Sequence, residues 1–197
     1  MNFNETIKTR RSCYHLGKLP ADKQKIVPQI IEECLLNAPS AFNSQGARVV
    51  LLENENHKKL WNIVLGTLQK IVPPENFAPV QEKIAAFAAA NSTILYFEDK
   101  TVTENLQKKF PAYAANFPVW AEQANGMLQF SIWSALAGKG IGANLQHYNP
   151  IIDDEVRKTF NIPDTWRLIA QMPVGEILSA PQAKDFEPLD KRLKILS

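Results

Sequence analysis

From Asn116 to His147 the chain reads NFPVWAEQANGMLQFSIWSALAGKGIGANLQH, and apolar residues recur on every side of a helical repeat instead of along one face. Pro118 suits a first helical turn, where its missing N–H would have no partner anyway. Nothing breaks the pattern before Gly138, which predicts a helix of about six turns. No charge falls between Glu122 and Lys139. With Val119, Trp120, Met127, Leu128, Phe130, Ile132, Trp133 and Leu136 spread around it, the helix is expected to be buried all round. Gln123, Asn125, Gln129, Ser131 and Ser134 interrupt it too often for a membrane span. It belongs at a buried subunit interface, or else in the core of a monomer.

The remaining patterns are shorter. Asn2 and Glu5 have capping-box spacing, and Phe3 with Ile7 forms an apolar i, i+4 pair, so a short helix opens the chain. It ends at Arg10, Arg11 and Ser12. After Gly17 and Pro20, Asp22 is placed to cap a helix with Ile26, Ile30, Ile31, Cys34 and Leu35 inward, which Pro39 stops. Residues 48–52 (RVVLL) and 93–97 (TILYF) read as buried strands, and 166–175 as a third with Pro173 near its end. Helical spacing returns over 55–71, with Leu60, Ile63, Val64 and Leu68 inward, over the Ala-rich stretch 80–90, and from Asp153 or Asp154 to Phe160. Residues 98–115 read as a mobile helical excursion over the surface. From Ser179 the chain has no core of its own, and Arg192-Leu193-Lys194-Ile195 alternates like an edge strand in need of a sheet. Helices interspersed with a few strands imply an α+β fold with a central sheet in one domain, 1–197, with 180–197 as an arm.

Composition narrows the function. In 197 residues, Lys plus Arg is 22 and Asp plus Glu is 20, with no run of like charge to follow a phosphate backbone, so nucleic acid is not an expected partner. Cys13 and Cys34 form no CxxC pattern, and MNFNETIKTRRS lacks the apolar core of a signal peptide; the expectation is a soluble cytoplasmic protein with no membrane partner. Gly138, Gly140 and Gly142 follow a helix, which makes them a helix stop and not a dinucleotide fingerprint. His15, His57 and His147 lack metal-ligand spacing, and no nucleophile signature is present, so neither a metal nor a catalytic side chain is expected.

Three polar sets remain. Arg10, Arg11 and Ser12 offer two guanidinium forks and a hydroxyl, suited to a phosphate monoester dianion; the competing reading is a solvated basic surface. In Pro39-Ser40-Ala41-Phe42-Asn43-Ser44-Gln45-Gly46, the amides can match the edge of a flat heterocycle, or simply make a polar loop. Asn144, Gln146 and His147 lie just beyond the long helix.

TRRS, PSAFNSQ about thirty residues later, the long central helix and a basic, proline-marked tail occur in the order and spacing of the FMN-dependent nitroreductase family. The chain resembles that family over its whole length, and RRSCY and NLQHYNP resemble its compact branch. The resemblance implies a homodimer with a central mixed sheet, the long helix at the dimer interface, and C-terminal extensions crossing to the partner. It implies one FMN in each of two sites built from both chains. Arg10, Arg11 and Ser12 would hold the phosphate and ribityl chain, with Lys184 and Arg192 completing the phosphate site. Ser40, Asn43 and Gln45 would face the flavin from the other subunit, and backbone around Leu145, Gln146 and His147 would approach its N5 region. Two positions depart from the pattern: Tyr14 stands where many members carry a basic residue near flavin N1 and O2, and the tail's KxR pair reads Lys184-Asp185-Phe186. The implied activity is NADH- or NADPH-dependent reduction of nitroaromatics, quinones or similar small acceptors by a ping-pong mechanism. The alternative is a flavin-binding regulatory or stress-response protein with little turnover.

Overall fold

A computed structural model describes residues 2–196. In chain order the elements are α1 (Phe3–Thr9), β1 (Leu16–Gly17), α2 (Ala21–Gln24), α3 (Ile26–Asn37), β2 (Ala47–Glu53), α4 (Asn54–Gln69) and α5 (Phe77–Ala88). These are followed by β3 (Ser92–Asp99), α6 (Lys100–Lys109), α7 (Phe117–Gly138), β4 (Gly142–Ala143), α8 (Asp153–Phe160) and β5 (Trp166–Ile177). The strands order as β1-β5-β3-β2, with β4 also on β5. Every ladder is antiparallel. Among the described residues the parallel component of the sheet is one isolated bridge, Ser12 to Ala143.

β3 is the centre of the molecule. All eight of its residues are buried, and its central apolar run, Ile94 to Phe97, shows no alternation, as a strand covered on both faces requires. Ile94 and Tyr96 enter one core with Ile30 and Ile31 of α3 and Leu128, Ile132 and Leu136 of α7. Leu95 and Phe97 enter the other with Leu60, Trp61 and Val64 of α4, Ile84 and Phe87 of α5, and Val156 of α8. The result is a helix–sheet–helix sandwich.

Two buried polar residues of α7, Asn125 and Gln129, have specific duties. Where the β3–β5 register slips between Tyr96 and Phe97, the Phe97 carbonyl accepts from Asn125 Nδ2 at 3.0 Å. Gln129 Nε2 in turn donates to Asn125 Oδ1 at 2.7 Å. A buried carbonyl is thereby satisfied, which otherwise carries a full desolvation cost. The helix is not buried all round in the single chain: Met127 is 42% exposed and Phe130 40%. With half-buried Trp133 they recur every three residues, the spacing of one helix stripe.

Local differences from the sequence expectations have local causes. Asp22 caps nothing; the N-cap of α2 is Pro20, and the helix breaks at Lys25. Pro28 has no N–H to give Gln24, so it fits only in the first turn of a new helix. Asp153 and Asp154 do not cap α8 but occupy its first turn, where the helix dipole favours acids. After the short 3-10 turn Leu189–Lys191, the stretch read as an edge strand forms none within its own chain. No helix among the described residues is long and apolar enough to cross a membrane.

Candidate functional site

Arg10 closes α1, its N–H bonded to Thr6 O at 2.8 Å, and the chain then runs extended beside β4. Ser12 bridges Ala143, Cys13 N–H donates to Ala143 O at 3.0 Å, and Asn144 Nδ2 donates to Cys13 O at 2.8 Å. The Arg10–Ser12 segment is thus fixed from the sheet side. From the other side the tail folds over it: Leu178 N–H donates to His15 O at 3.0 Å, Ser179 Oγ and His15 Nδ1 lie 2.9 Å apart, and Arg11 donates to Gln182 O. Between the two walls lies a cavity of about 490 Å³, lined by Arg10, Arg11, Ser12, Tyr14, His15, Lys184 and residues 179–183.

This cavity is cationic without internal compensation. Among the described residues, no carboxylate pairs with Arg10, Arg11 or Lys184. Arg10 Nε is buried with no hydrogen-bond partner. Burial lowers the pKa of Arg10, and the charge of Arg11 lowers it further. An orphaned guanidinium donor beside like charges fits an anion with several acceptor oxygens, and a phosphate monoester meets that description.

The amide loop forms a second, separate cleft of about 260 Å³, lined by Ser40, Gln45, Gly46, Arg48, Leu36 and Leu128, among others. Phe42, Asn43 and Gln45 have φ of 57°, 49° and 51°. Three left-handed, non-glycine residues in one short loop store strain that a rigid surrounding must hold, a pattern found at ligand sites. Ser40 Oγ accepts from Gln45 N–H at 3.0 Å, and Gln45 Nε2 donates to Asn43 O at 3.3 Å, closing the loop on itself. Phe42 is driven outward into an aromatic box, with ring centroids 5.0 Å from Phe110, 5.5 Å from Phe117 and 6.2 Å from both Tyr113 and Trp120. Beside it a shallow hollow of about 320 Å³ is lined by Phe42, Trp120, Gln123 and Met127. In the sequence Phe110 and Tyr113 are no more than landmarks of a surface excursion; their convergence on Phe42 depends on the left-handed loop and has no signal in spacing.

The third set divides. Asn144 is fully buried, its amide engaged by Cys13 O and by Gln146, so it braces the arginine segment from behind. Gln146 pairs with Gln171 of β5, and Leu145 packs on the core. His147 is exposed and lines neither cleft, and Arg192 is likewise outside the cationic cavity. His15, Ser179 and Gln182, which the sequence did not single out, contribute to it directly. No group of His, Cys, Asp and Glu among the described residues is arranged to hold a metal.

Comparison with known proteins returns a consistent picture. A model of the nitroreductase family matches residues 7–176. HBN1 of Saccharomyces cerevisiae is 36% identical over 190 residues, covering 93% of this chain and 92% of its own length. The nitroreductase CinD from Lactococcus lactis, solved in complex with chloramphenicol, is 40% identical, with a TM-score of 0.91 over the whole of both chains. CinD has also been solved with 4-nitrophenol and with nicotinic acid. A nitroreductase from Desulfitobacterium hafniense with bound FMN shares the fold over the full length of both chains, at 19% identity and a TM-score of 0.71.

Proposed function

The chain belongs to the nitroreductase family, and on that premise we propose that it is an FMN-containing, NAD(P)H-dependent oxidoreductase for nitroaromatic, quinone or related acceptors. One observation carries the reading: the cavity of Arg10, Arg11 and Lys184, uncompensated by any carboxylate among the described residues and holding an orphaned guanidinium donor. In it Arg10, Ser12 and Lys184 hold the cofactor's phosphate, while Arg11 spends part of its fork keeping the tail wall in place. Bound FMN supplies the hydride chemistry, and the protein contributes position and electrostatics. Ser40 and Gln45 line a different cleft of the same chain, and Asn43 sits in the same loop with its carbonyl accepting from Gln45, so we assign all three to the flavin ring of a second copy in a homodimer. Tyr14, which lines the cavity with Arg10 and Arg11, offers a phenol hydrogen bond where a cation would stabilise negative charge.

The aromatic box around Phe42 supports planar acceptors, because ring faces stack on flat π-systems. CinD's complexes with 4-nitrophenol and with nicotinic acid lend support for an aromatic acceptor and a nicotinamide donor, and we assign both to a single site beside the aromatic box. With no dinucleotide-binding motif to seat the donor separately, donor and acceptor use that site in turn, which is ping-pong kinetics. The test is steady-state NADH and NADPH oxidation by the flavin-loaded protein, with and without 4-nitrophenol or a quinone. Parallel double-reciprocal lines are expected. Tight flavin binding with no acceptor-dependent oxidation would instead favour a regulatory flavoprotein.

A further inference from the structure

Arg10 of the cationic cavity has a side-chain partner that is not an anion. Its guanidinium carbon lies 4.4 Å from the ring centroid of Trp133 on α7. Trp133 is itself half-buried against the core, so the indole cannot swing away freely. This geometry solves a particular problem. A carboxylate beside Arg10 would offset its charge but would occupy N–H groups in the guanidinium plane and repel an incoming dianion. A ring face offsets part of the charge through its quadrupole from above the plane, leaving every in-plane N–H available. Arg10 Nε, buried without a partner, is one donor so preserved.

We propose that Trp133 is a positioning residue for the phosphate site: its indole face lies under the Arg10 guanidinium and compensates its charge without taking its N–H donors, so that they stay free for the phosphate of the flavin nucleotide. The inference rests on the reading of this cavity as the FMN phosphate site and goes beyond it by assigning a role to a residue that lines no part of the cavity. It also ties that site to α7, whose exposed stripe includes Met127 and Phe130.

The test compares FMN with riboflavin, which lacks the phosphate, by titration of the full-length protein freed of flavin. Trp133→Leu is expected to weaken FMN about tenfold, the range of a partly desolvated cation–π contact. Riboflavin affinity should change less than about twofold on the same reasoning. Trp133→Phe, which keeps a ring face, should recover much of the loss. Fluorinated tryptophans placed at position 133 keep the shape while draining the quadrupole, and should weaken FMN stepwise even if Trp133→Leu folds poorly. In an Arg10→Ala background none of these changes should matter. Equal losses for FMN and riboflavin, or no response to fluorination, would overturn the proposal while leaving the phosphate site intact. If Arg10→Ala itself spares FMN binding, the phosphate reading falls with it.

Discussion

Glu98 and His57 are two ionisable side chains taken out of water with opposite consequences. Glu98 is 5% exposed near the end of β3, and burial raises its pKa from 4.5 to about 7. Arg167 and Arg48 oppose that rise and Glu122 adds to it, but Arg167 is engaged with Glu122. His57 is fully buried, and burial lowers its pKa from 6.5 to about 4. Its Nε2 faces Ala88 O at 3.1 Å, so that nitrogen carries the hydrogen. Nδ1 then accepts from Thr93 Oγ1, which itself accepts from Trp61 Nε1. The raised Glu98 pKa gives stability present below pH 4.5 and lost as pH rises to about 7; the depressed His57 pKa gives stability present above pH 6.5 and lost as pH falls to about 4. Between 4.5 and 6.5 the two slopes cancel. Glu98→Gln should therefore unmask the histidine, making the unfolding free energy climb with pH by about 1.4 kcal/mol per unit more than in the parent. Urea titrations across that window measure it, and identical slopes would mean that Glu98 ionises normally. Neither residue was visible as special in the sequence, where His57 is one histidine among three and its burial depends on distant partners. Arg10 and Arg11 were visible because adjacency in the chain is itself the signal.

At the scale of elements, three glycines let β1, β4 and β5 meet. A Cβ on Gly175 would lie 2.4 Å from Gly17 O, and one on Gly142 2.6 Å from the Leu16 side chain. The Gly17 carbonyl belongs to a strand registered on β5, so it has little room to retreat. Gly175→Ala is expected to cost roughly 1–3 kcal/mol, as overpacking does. Because β1 continues from the Arg10–Ser12 segment, FMN affinity should drop along with the urea midpoint. Gly66, mid-helix in α4 with open space within 4 Å of where a Cβ would stand, is the control: Gly66→Ala should stabilise by roughly 0.5–1 kcal/mol. A Gly175→Ala protein as stable as its parent would refute the close-packing account. The three main strands and most helices were legible from apolar runs and caps, since these depend on neighbours in sequence. The α2–α3 break was marked by Pro28 but outweighed by a continuous apolar face. The left-handed backbone at Phe42 had no marker, because neither glycine nor a turn dipeptide stands there.

For the whole molecule, two groups of exposed apolar side chains bear on assembly, the α7 stripe and the tail, where Phe186, Leu189, Leu193, Ile195 and Leu196 are all exposed. Patches of this kind mark interaction surfaces. The proposed homodimer covers both, the tail first walling its own chain's cationic cavity as far as Lys184 and crossing to the partner beyond it. Removing residues 180–197 should weaken dimerisation and FMN retention together, since Lys184 and the wall at 180–183 go with the tail. Sedimentation with absorbance detection reads both at once. A shortened protein that remains dimeric and yellow would sink the crossing arm. The charge-free run of α7 was legible in the sequence as a buried helix, but that reading buried it on every side, where the single chain leaves the Met127 and Phe130 stripe exposed.

The cationic cavity and the amide cleft share no lining residue. If each flavin draws its phosphate site from one chain and its ring contacts from the other, damage is inherited by site and not by subunit. A subunit carrying Arg10→Ala, paired with one carrying a disabled Ser40–Gln45 loop, places both lesions in one site and leaves the other wild type. Two inactive homodimers, mixed and allowed to exchange chains, should therefore regain activity approaching one quarter of the wild-type level at random assortment, half the dimers being hybrids with one working site, on the order of the fraction set by simple two-fold symmetry. Coexpression of two differently tagged chains would display this as intragenic complementation, and its absence would place both sets of residues in the same site of the same chain.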